Sequence, residues 1–314
     1  MVCVIGETLI DLVIDSSVTL PDGATRYTAF PGGSPYNVAV GLARLGQPSQ
    51  LLARLSRDAF GRQIRAHALS NGVDLSLSAD AGEPTTLAVV GLDSNHNAIY
   101  DFYLNGTADW LWTDAELSRL TDEVSWVHTG SLAAWTPPGA ARIETRLAGL
   151  RASGAALISF DPNVRPALMP VHDDAVATIE RLIGLSHVVK ASAEDVAWLY
   201  PDRAIDDALR DWRALGPSVV VVTDGGRGAH AVGTSDPFAV AAPKITVVDT
   251  VGAGDAFMAG LINALIRTDL LANEASQELL RPVIEEAVLV AALTCERAGG
   301  NPPTAAELAA AQDR

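Results

Sequence analysis

The stretch Val247-Val248-Asp249-Thr250-Val251-Gly252-Ala253-Gly254-Asp255-Ala256-Phe257-Met258-Ala259-Gly260-Leu261 decides how the rest of the chain is read. Its first residues are β-branched and predict the end of a strand. From Ala256 to about Ile266 the apolar period turns helical, with Phe257, Leu261 and Leu265 on one stripe. Gly252, Ala253 and Gly254 lie between the two patterns and are small enough to expose backbone N–H groups. Donors at a helix start have no intrahelical acceptor and are backed by the positive end of the helix dipole, which makes the place fit for an anion. Asp255 stands in the first turn beside it. The same residues also fit an ordinary turn followed by a carboxylate that merely favours the dipole. The rest of the chain decides between the two.

Length and composition bound the answer. The 314 residues suffice for one large α/β domain or two modest ones, and 48% hydrophobic residues supply a packed core. The net charge of −16 argues against nucleic acid and anionic membrane surfaces as partners. A polyanionic nucleotide would have to be bound locally, by backbone donors, a few cations and a divalent metal. Cys3 and Cys295 lie at opposite ends of the chain without metal-ligand spacing, so neither a disulfide framework nor a structural zinc site is expected. Glu7 and Asp11 interrupt the apolar N-terminus where a signal peptide needs its apolar centre, and no apolar run is long enough to span a bilayer. The expectation is a soluble, cytoplasmic protein. Lys190 and Lys244 are the only lysines and neither follows a glycine-rich loop, which excludes the common Gly-Lys-Ser/Thr phosphate loop.

Working outward, Val2–Ile5 reads as a buried parallel strand, and Leu9 to Asp15 and Arg26 to Phe30 as two more around Pro21-Asp22-Gly23. Pro31-Gly32-Gly33-Ser34-Pro35-Tyr36-Asn37 reads as a loop feeding a helix from Val38 to Leu45. Gln50 to Leu55 suggests a strand and Gly61 to Asn71 a helix. Thr85 to Leu92 and Ala98 to Leu104 form a hairpin pattern whose tip residue His96 reads as a solvated turn residue. These early strands group with the hairpin as a small β-layer outside the main sheet. Strands are predicted at 124–128, 156–160, 186–190, 218–223, 228–232 and 238–241. Helices are predicted at 139–153, 173–184, 193–199, 205–214, 254–267 and 282–298, with a marginal one in the tail. This alternation predicts a mostly parallel sheet covered by helices on both faces.

Two stretches then line up with one family. Gly32-Gly33-Ser34-Pro35-Tyr36-Asn37-Val38-Ala39, followed by Leu42-Ala43-Arg44-Leu45-Gly46, resembles the N-terminal signature of the ribokinase-like (PfkB) sugar kinases. Asp249 to Phe257, with Ala259-Gly260-Leu261, resembles their C-terminal signature. Within the family the chain is most similar to the fructokinases, through Gly6 to Leu12, Phe160 to Pro166 and Lys190 to Asp195. Thr223 to Gly228 resembles the family's nucleotide loop. The sequence departs from the family pattern at Ser56, where glycine is usual, and at Ser192-x-x-Asp195, where Asn-x-x-Glu is more common.

The resemblance implies a single ribokinase-like domain over 1–314: a three-layer α/β/α fold with a mostly parallel central sheet. A small β-sheet lid would be formed by about 12–34 and 84–107. It implies ATP as phosphoryl donor, with Asp255 as the base that receives the sugar hydroxyl's proton and the amides of Gly252, Ala253 and Gly254 holding the phosphoryl oxygens. Asp11, Gly32, Gly33, Asn37 and Arg165 would bind the sugar. Lys190, Ser192, Thr223, Gly225 and Gly228 would face the nucleotide. Mg²⁺ follows from the nucleotide, held mostly by water and phosphate, with Asp195 in its shell. A monovalent cation, K⁺, would sit on carbonyls near Asp249 and Val251. Tyr100, Phe102 and Tyr103 would pack the β-layer or serve a lid that excludes water, and an open lid edge would suit a homodimer. Fructose is the expected acceptor. 2-Keto-3-deoxygluconate, ribose or a nucleoside would keep the reaction and change the sugar. A dinucleotide oxidoreductase fails on the glycine pattern, since position 257 is Phe.

Overall fold

Runs of valine and isoleucine too short for helices build the centre of the molecule. The computed structural model describes residues 1–15, 24–92, 98–169, 171–272 and 275–313. The predicted turn at Pro21-Asp22-Gly23 and the hairpin tip with His96 lie outside the described residues. The first half of the chain runs β1 (Val2–Ile5), β2 (Leu9–Ile14), β3 (Tyr27–Gly32), α1 (Ser34–Arg44), β4 (Ser49–Leu52), β5 (Arg54–Ser56), α2 (Ala59–Ser70), β6 (Ala79–Ala81), β7 (Thr86–Leu92), β8 (Ala98–Tyr103), α3 (Asp114–Leu117), β9 (Trp126–Gly130), α4 (Ser131–Trp135) and α5 (Ala140–Ser153). The second half continues through β10 (Leu157–Asp161), α6 (His172–Leu185), β11 (Val188–Ser192), α7 (Ala193–Leu199), α8 (Ile205–Ala214), β12 (Val219–Thr223), β13 (Ala229–Val232), β14 (Phe238–Val240), α9 (Ala253–Thr268), α10 (Gln277–Cys295) and α11 (Ala305–Gln312).

Eight strands form the central sheet in the order β14-β13-β12-β11-β10-β9-β1-β4. Pairing is parallel from β12 through β4, and antiparallel only where β13 meets β12 and β14. Successive side chains of a strand point to opposite faces, and here both faces are buried. Val2, Val4, Val219 and Val221 pack with α1, α9 and α10 on one side. Cys3, Ile5, Val220 and Val222 pack with α5, α6 and α8 on the other. This is the expected α/β/α arrangement.

A second sheet, β3-β2-β7-β8, holds the early strands and the hairpin. Its central pair, β2 with β7, is parallel, while the outer pairs are antiparallel. Only Gly6-Glu7-Thr8 separates β1 in the central sheet from β2 in this one. Phe102 packs against the core, whereas Tyr103 is exposed.

The structure corrects four expectations. The strand read from Gln50 to Leu55 breaks at Ala53: β4 stays in the central sheet and β5 pairs with β6 in a separate two-stranded sheet. The helix expected from Val38 begins at Ser34, because Pro35 falls in its first turn, where a missing N–H costs nothing. Val247 and Val248 are not a strand end but lie in an irregular, exposed loop. The short helices α3 and α4 were not expected; α3 is closed by a capping box between Thr113 and Glu116.

Candidate active site

Helix α9 starts at Gly252, whose φ of 71° is left-handed backbone that glycine adopts freely. The Ala253 amide donates to the Thr250 carbonyl at 3.2 Å, so this donor is already engaged. Among the described residues, the amides of Gly254 and Asp255 have no acceptor. Two donors therefore remain open at the positive end of a 16-residue helix.

Asp255 is buried, and α1 holds it. Ser34 Oγ donates to Asp255 Oδ1 at 2.6 Å, and Asn37 Nδ2 donates to Oδ2 at 2.8 Å. Asn37 thus pairs with Asp255 by its side chain, while its own amide donates to the Gly33 carbonyl at 2.9 Å. Burial pushes the Asp255 carboxyl above its ordinary range, against the pull of Ser34, Asn37, Lys190 and Arg165. A carboxylate so placed retains proton affinity, as a general base must.

Asp11 lies on β2 and feels both Asp255 and Arg165. Burial, followed by the Asp255 charge, raises its carboxyl to about 6, while Arg165 opposes the rise. Gly32, at the end of β3, leaves room for the Asp11 carboxylate: a Cβ there would stand 2.3 Å from Asp11 Oδ2 and displace it. Gly33 next to it is the N-cap of α1. Asp11, Gly32, Gly33 and Asn37 thus gather on the second-sheet side of Asp255.

On the other side opens a cleft of about 630 Å³. Gly252, Ala253, Gly254 and Asp255 line it, together with Arg165, Lys190, Ser192, Asp195, Thr223, Gly225 and Gly228. Its apolar wall, made by Ile245, Val247, Val288, Ala291, Ala292 and Cys295, was not anticipated. Small residues three or four apart along α10 (Val288, Ala291, Ala292 and Cys295) are the signal that could have shown it. Lys190 is buried and pairs with Asp161 at 2.8 Å. Arg165 donates to the carbonyls of Asn163 at 3.3 Å and Val164 at 3.0 Å, folding back on its own turn. Thr223 closes β12, and its hydroxyl donates to the Ala191 carbonyl at 3.3 Å.

Asp195 and Asp249 are fastened differently from the expectation. Asp195 accepts from the Val164 amide at 2.8 Å with one oxygen and from the Ser192 amide at 2.8 Å with the other. Asp249 accepts from the amides of Val251 at 3.0 Å and Gly299 at 2.8 Å, and so ties its turn to the Gly299–Gly300 loop. Among the described residues no group of three or more His, Cys, Asp or Glu side chains is arranged to hold a metal ion. Nor is any helix among them long and apolar enough to cross a membrane. Two residues of the site escaped the sequence: Ser34 as a partner of Asp255, and Asp161 as the partner of Lys190.

A helix start with open amides, a buried carboxylate beside it and a cleft open to both suit a phosphotransferase with an alcohol group as acceptor. The pfkB family carbohydrate kinase pattern matches residues 1–306, and the chain belongs to that family. Its sequence is 34% identical to a fructokinase of Rhizobium leguminosarum bv. trifolii over 271 residues, 86% of this chain and 81% of the relative. Its fold is similar to that of a fructokinase with bound ATP from Xylella fastidiosa. That match has a TM-score of 0.86 and 26% identity, covering 100% of this chain and 99% of the other. It is also similar to a fructokinase double mutant from Vibrio cholerae O395 in a fructose, ADP and potassium ion bound form. There the TM-score is 0.84 with 29% identity over 98% and 97% of the two chains.

Proposed function

We propose that this carbohydrate kinase transfers the γ-phosphoryl group of ATP to a hydroxyl of fructose. The observation that carries the reading is the position of Asp255, which lines the cleft and is bonded by Asn37 of the Asp11–Asn37 group. ATP would lie in the cleft, its base against the α10 wall and its phosphates toward Lys190, Ser192 and the 223–228 loop. Fructose would lie on the second-sheet side, held by Asp11, Asn37, Arg165 and the backbone of Gly32 and Gly33. Asp255 would take the hydroxyl proton as the oxygen attacks, and the amides of Gly254 and Asp255 would receive the charge on the phosphoryl oxygens. Such a base contributes roughly 10²- to 10⁴-fold, and one donor of this kind ~3 kcal/mol.

Fructokinase relatives and neighbours bound to ATP, or to fructose and ADP, support the choice of donor and acceptor. Mg²⁺ would arrive with the nucleotide and neutralise phosphate charge. With both Asp195 oxygens occupied by amides, that residue would steady the 163–165 turn and touch the ion through water. The turn pinned by Asp249 would offer main-chain carbonyls, the ligand type a monovalent cation takes, and a neighbour in a potassium ion bound form supports K⁺ as that cation. The four-stranded sheet would act as a lid over the acceptor and expel water, the whole chain working as one domain. Its outer strands β3 and β8, with exposed Tyr27, Phe30 and Tyr103, would suit pairing with a second copy.

ADP release with Mg-ATP across a panel of fructose, 2-keto-3-deoxygluconate, ribose and a nucleoside tests the assignment. Fructose is expected to give the highest kcat/KM. Another winner replaces the acceptor, and no sugar-dependent turnover at all ends the reading.

A further inference from the structure

We propose that Asp161 is a positioning residue for phosphoryl transfer: it holds the Lys190 ammonium against the Gly252–Gly254 turn, so that the transferring group meets a fixed cation as well as free amides. The inference rests on the reading that the start of α9 takes the phosphoryl group.

Asp161 ends β10 and Lys190 lies on the neighbouring parallel strand β11. Lys190 lines the cleft; Asp161 is fully buried beneath it and reaches a ligand only through Lys190. Their 2.8 Å contact leaves the ammonium aimed at the helix start. A Cβ on Gly254 would come within 2.8 Å of Lys190 Nζ, so the space a side chain would fill is the space the cation uses. The second Asp161 oxygen accepts from the Asn163 amide at 3.1 Å, in the turn that carries Arg165.

A buried ion pair is a poor source of stability, because desolvating two charges offsets most of their attraction. Its presence here calls for another reason. Lysine is a flexible four-carbon stem ending in a point charge; unanchored, it would follow solvent rather than the phosphoryl group. Burial alone would push the ammonium down, but Asp161 first, then Asp255 and Asp195, outweigh it and hold Lys190 above its ordinary value. Burial pushes Asp161 up to about 6 against the pull of Lys190, so both groups are charged at neutral pH. His128 on β9, buried and bonded to Ser159 Oγ at 3.0 Å, is pushed down to about 3 by burial and by Lys190. It adds no competing charge.

The test compares the full-length parent with Asp161→Asn, Lys190→Met and the double variant, using Mg-ATP and the best sugar of the panel. Asp161→Asn is expected to lower kcat by ~10²-fold, the scale of a lost electrostatic group in a transition state, while the sugar KM stays within ~3-fold. The double variant is expected to match Lys190→Met, because Asp161 acts only through the lysine. It also keeps the test open if Asp161→Asn, with its unpaired buried cation, does not fold. Where that variant folds, the alkaline limb of kcat moves to lower pH, as burial then governs the lysine; a merely structural carboxylate would leave the limb in place. Parental kcat in Asp161→Asn, or a further ~10-fold loss in the double variant beyond Lys190→Met, overturns the proposal. Asp255→Asn in the same series separates the two readings. If it turns over like the parent, the underlying assignment fails; if it is inactive while Asp161→Asn is not, only this inference does.

Discussion

At the start of α7, Ser192 and Asp195 close on each other: the serine hydroxyl accepts from the Asp195 amide at 3.0 Å and the aspartate accepts from the Ser192 amide at 2.8 Å. At the start of α9, Gly252 offers no side chain, and the first-turn carboxylate of Asp255 turns away to Ser34 and Asn37. Both helix starts face the same cleft. The first satisfies its amides with its own side chains, as a helix built for stability does; the second leaves the Gly254 and Asp255 amides open. An acidic residue near a helix start is therefore uninformative alone. What matters is whether its oxygens return to the helix or are held elsewhere.

The sharpest way to break this contrast is to occupy the space above the open amides. In Gly254→Ala the new methyl group would meet Lys190 Nζ at 2.8 Å, and the flexible lysine would yield rather than the helix. Helix propensity favours alanine over glycine by ~1 kcal/mol, so the variant is expected to fold at least as stably as the parent. Its kcat should nonetheless fall by ~10²-fold, on the scale of one lost electrostatic contact. A thermal melt beside steady-state kinetics checks both halves. A variant that is destabilised yet fully active would mean that the glycine serves packing.

Asp195→Asn probes the other helix start. An asparagine can accept one amide bond in place of two and cannot keep the charge near the helix dipole. Loss of the box is expected to cost ~1 kcal/mol in unfolding free energy and to loosen the turn at Val164. Activity should fall less than in Gly254→Ala, within ~10-fold. Denaturant unfolding and kcat measured together decide it. A loss of activity larger than that of Gly254→Ala would show that Asp195 touches the nucleotide or its metal directly.

The difference between the two starts was only half visible in the sequence. Gly252-Ala253-Gly254-Asp255 announced itself, because glycine, a helical period and a nearby carboxylate are all local features. The positions of the central strands also followed from local patterning, since buried parallel strands read as short β-branched runs. Val247 and Val248 have that composition too, yet both lie in an exposed loop, with Val247 lining the cleft, where composition alone misleads. Ser34 was unreadable as a partner of Asp255 because 221 positions separate them, and Asp161 likewise lies 29 positions from Lys190. Hydrogen bonds across such distances are set by how sheets and helices stack, and a local pattern carries no trace of them. The break at Ala53 has the same origin: whether a strand continues depends on which sheet offers a partner.

Glu7 extends the contrast to a carboxylate that does not line the cleft and that reaches a first-turn amide of α4 from outside the helix, and its effect should be the smallest. It sits in the three-residue link between the two sheets and is 1% exposed. One oxygen accepts from the Ala133 amide at 3.0 Å, and the other, Oε1, has no partner within the protein. Burial, aided by the nearby Asp109 charge and opposed by hydrogen bonds from Ala133 and Ser131, raises its carboxyl from 4.5 to about 7. A carboxyl with a raised folded-state value binds its proton more tightly in the folded chain. Its contribution is therefore complete below 4.5 and lost as pH rises to about 7. Glu7→Gln keeps an oxygen for the Ala133 amide and never ionises. It is expected to melt a few degrees higher than the parent at pH 8, equivalent to ~1 kcal/mol, with the advantage vanishing by pH 4.5. Melting curves at the two pH values test this. An advantage equal at both would show that Glu7 binds its proton no more tightly in the folded chain than in the unfolded one, so that burial does not raise its carboxyl.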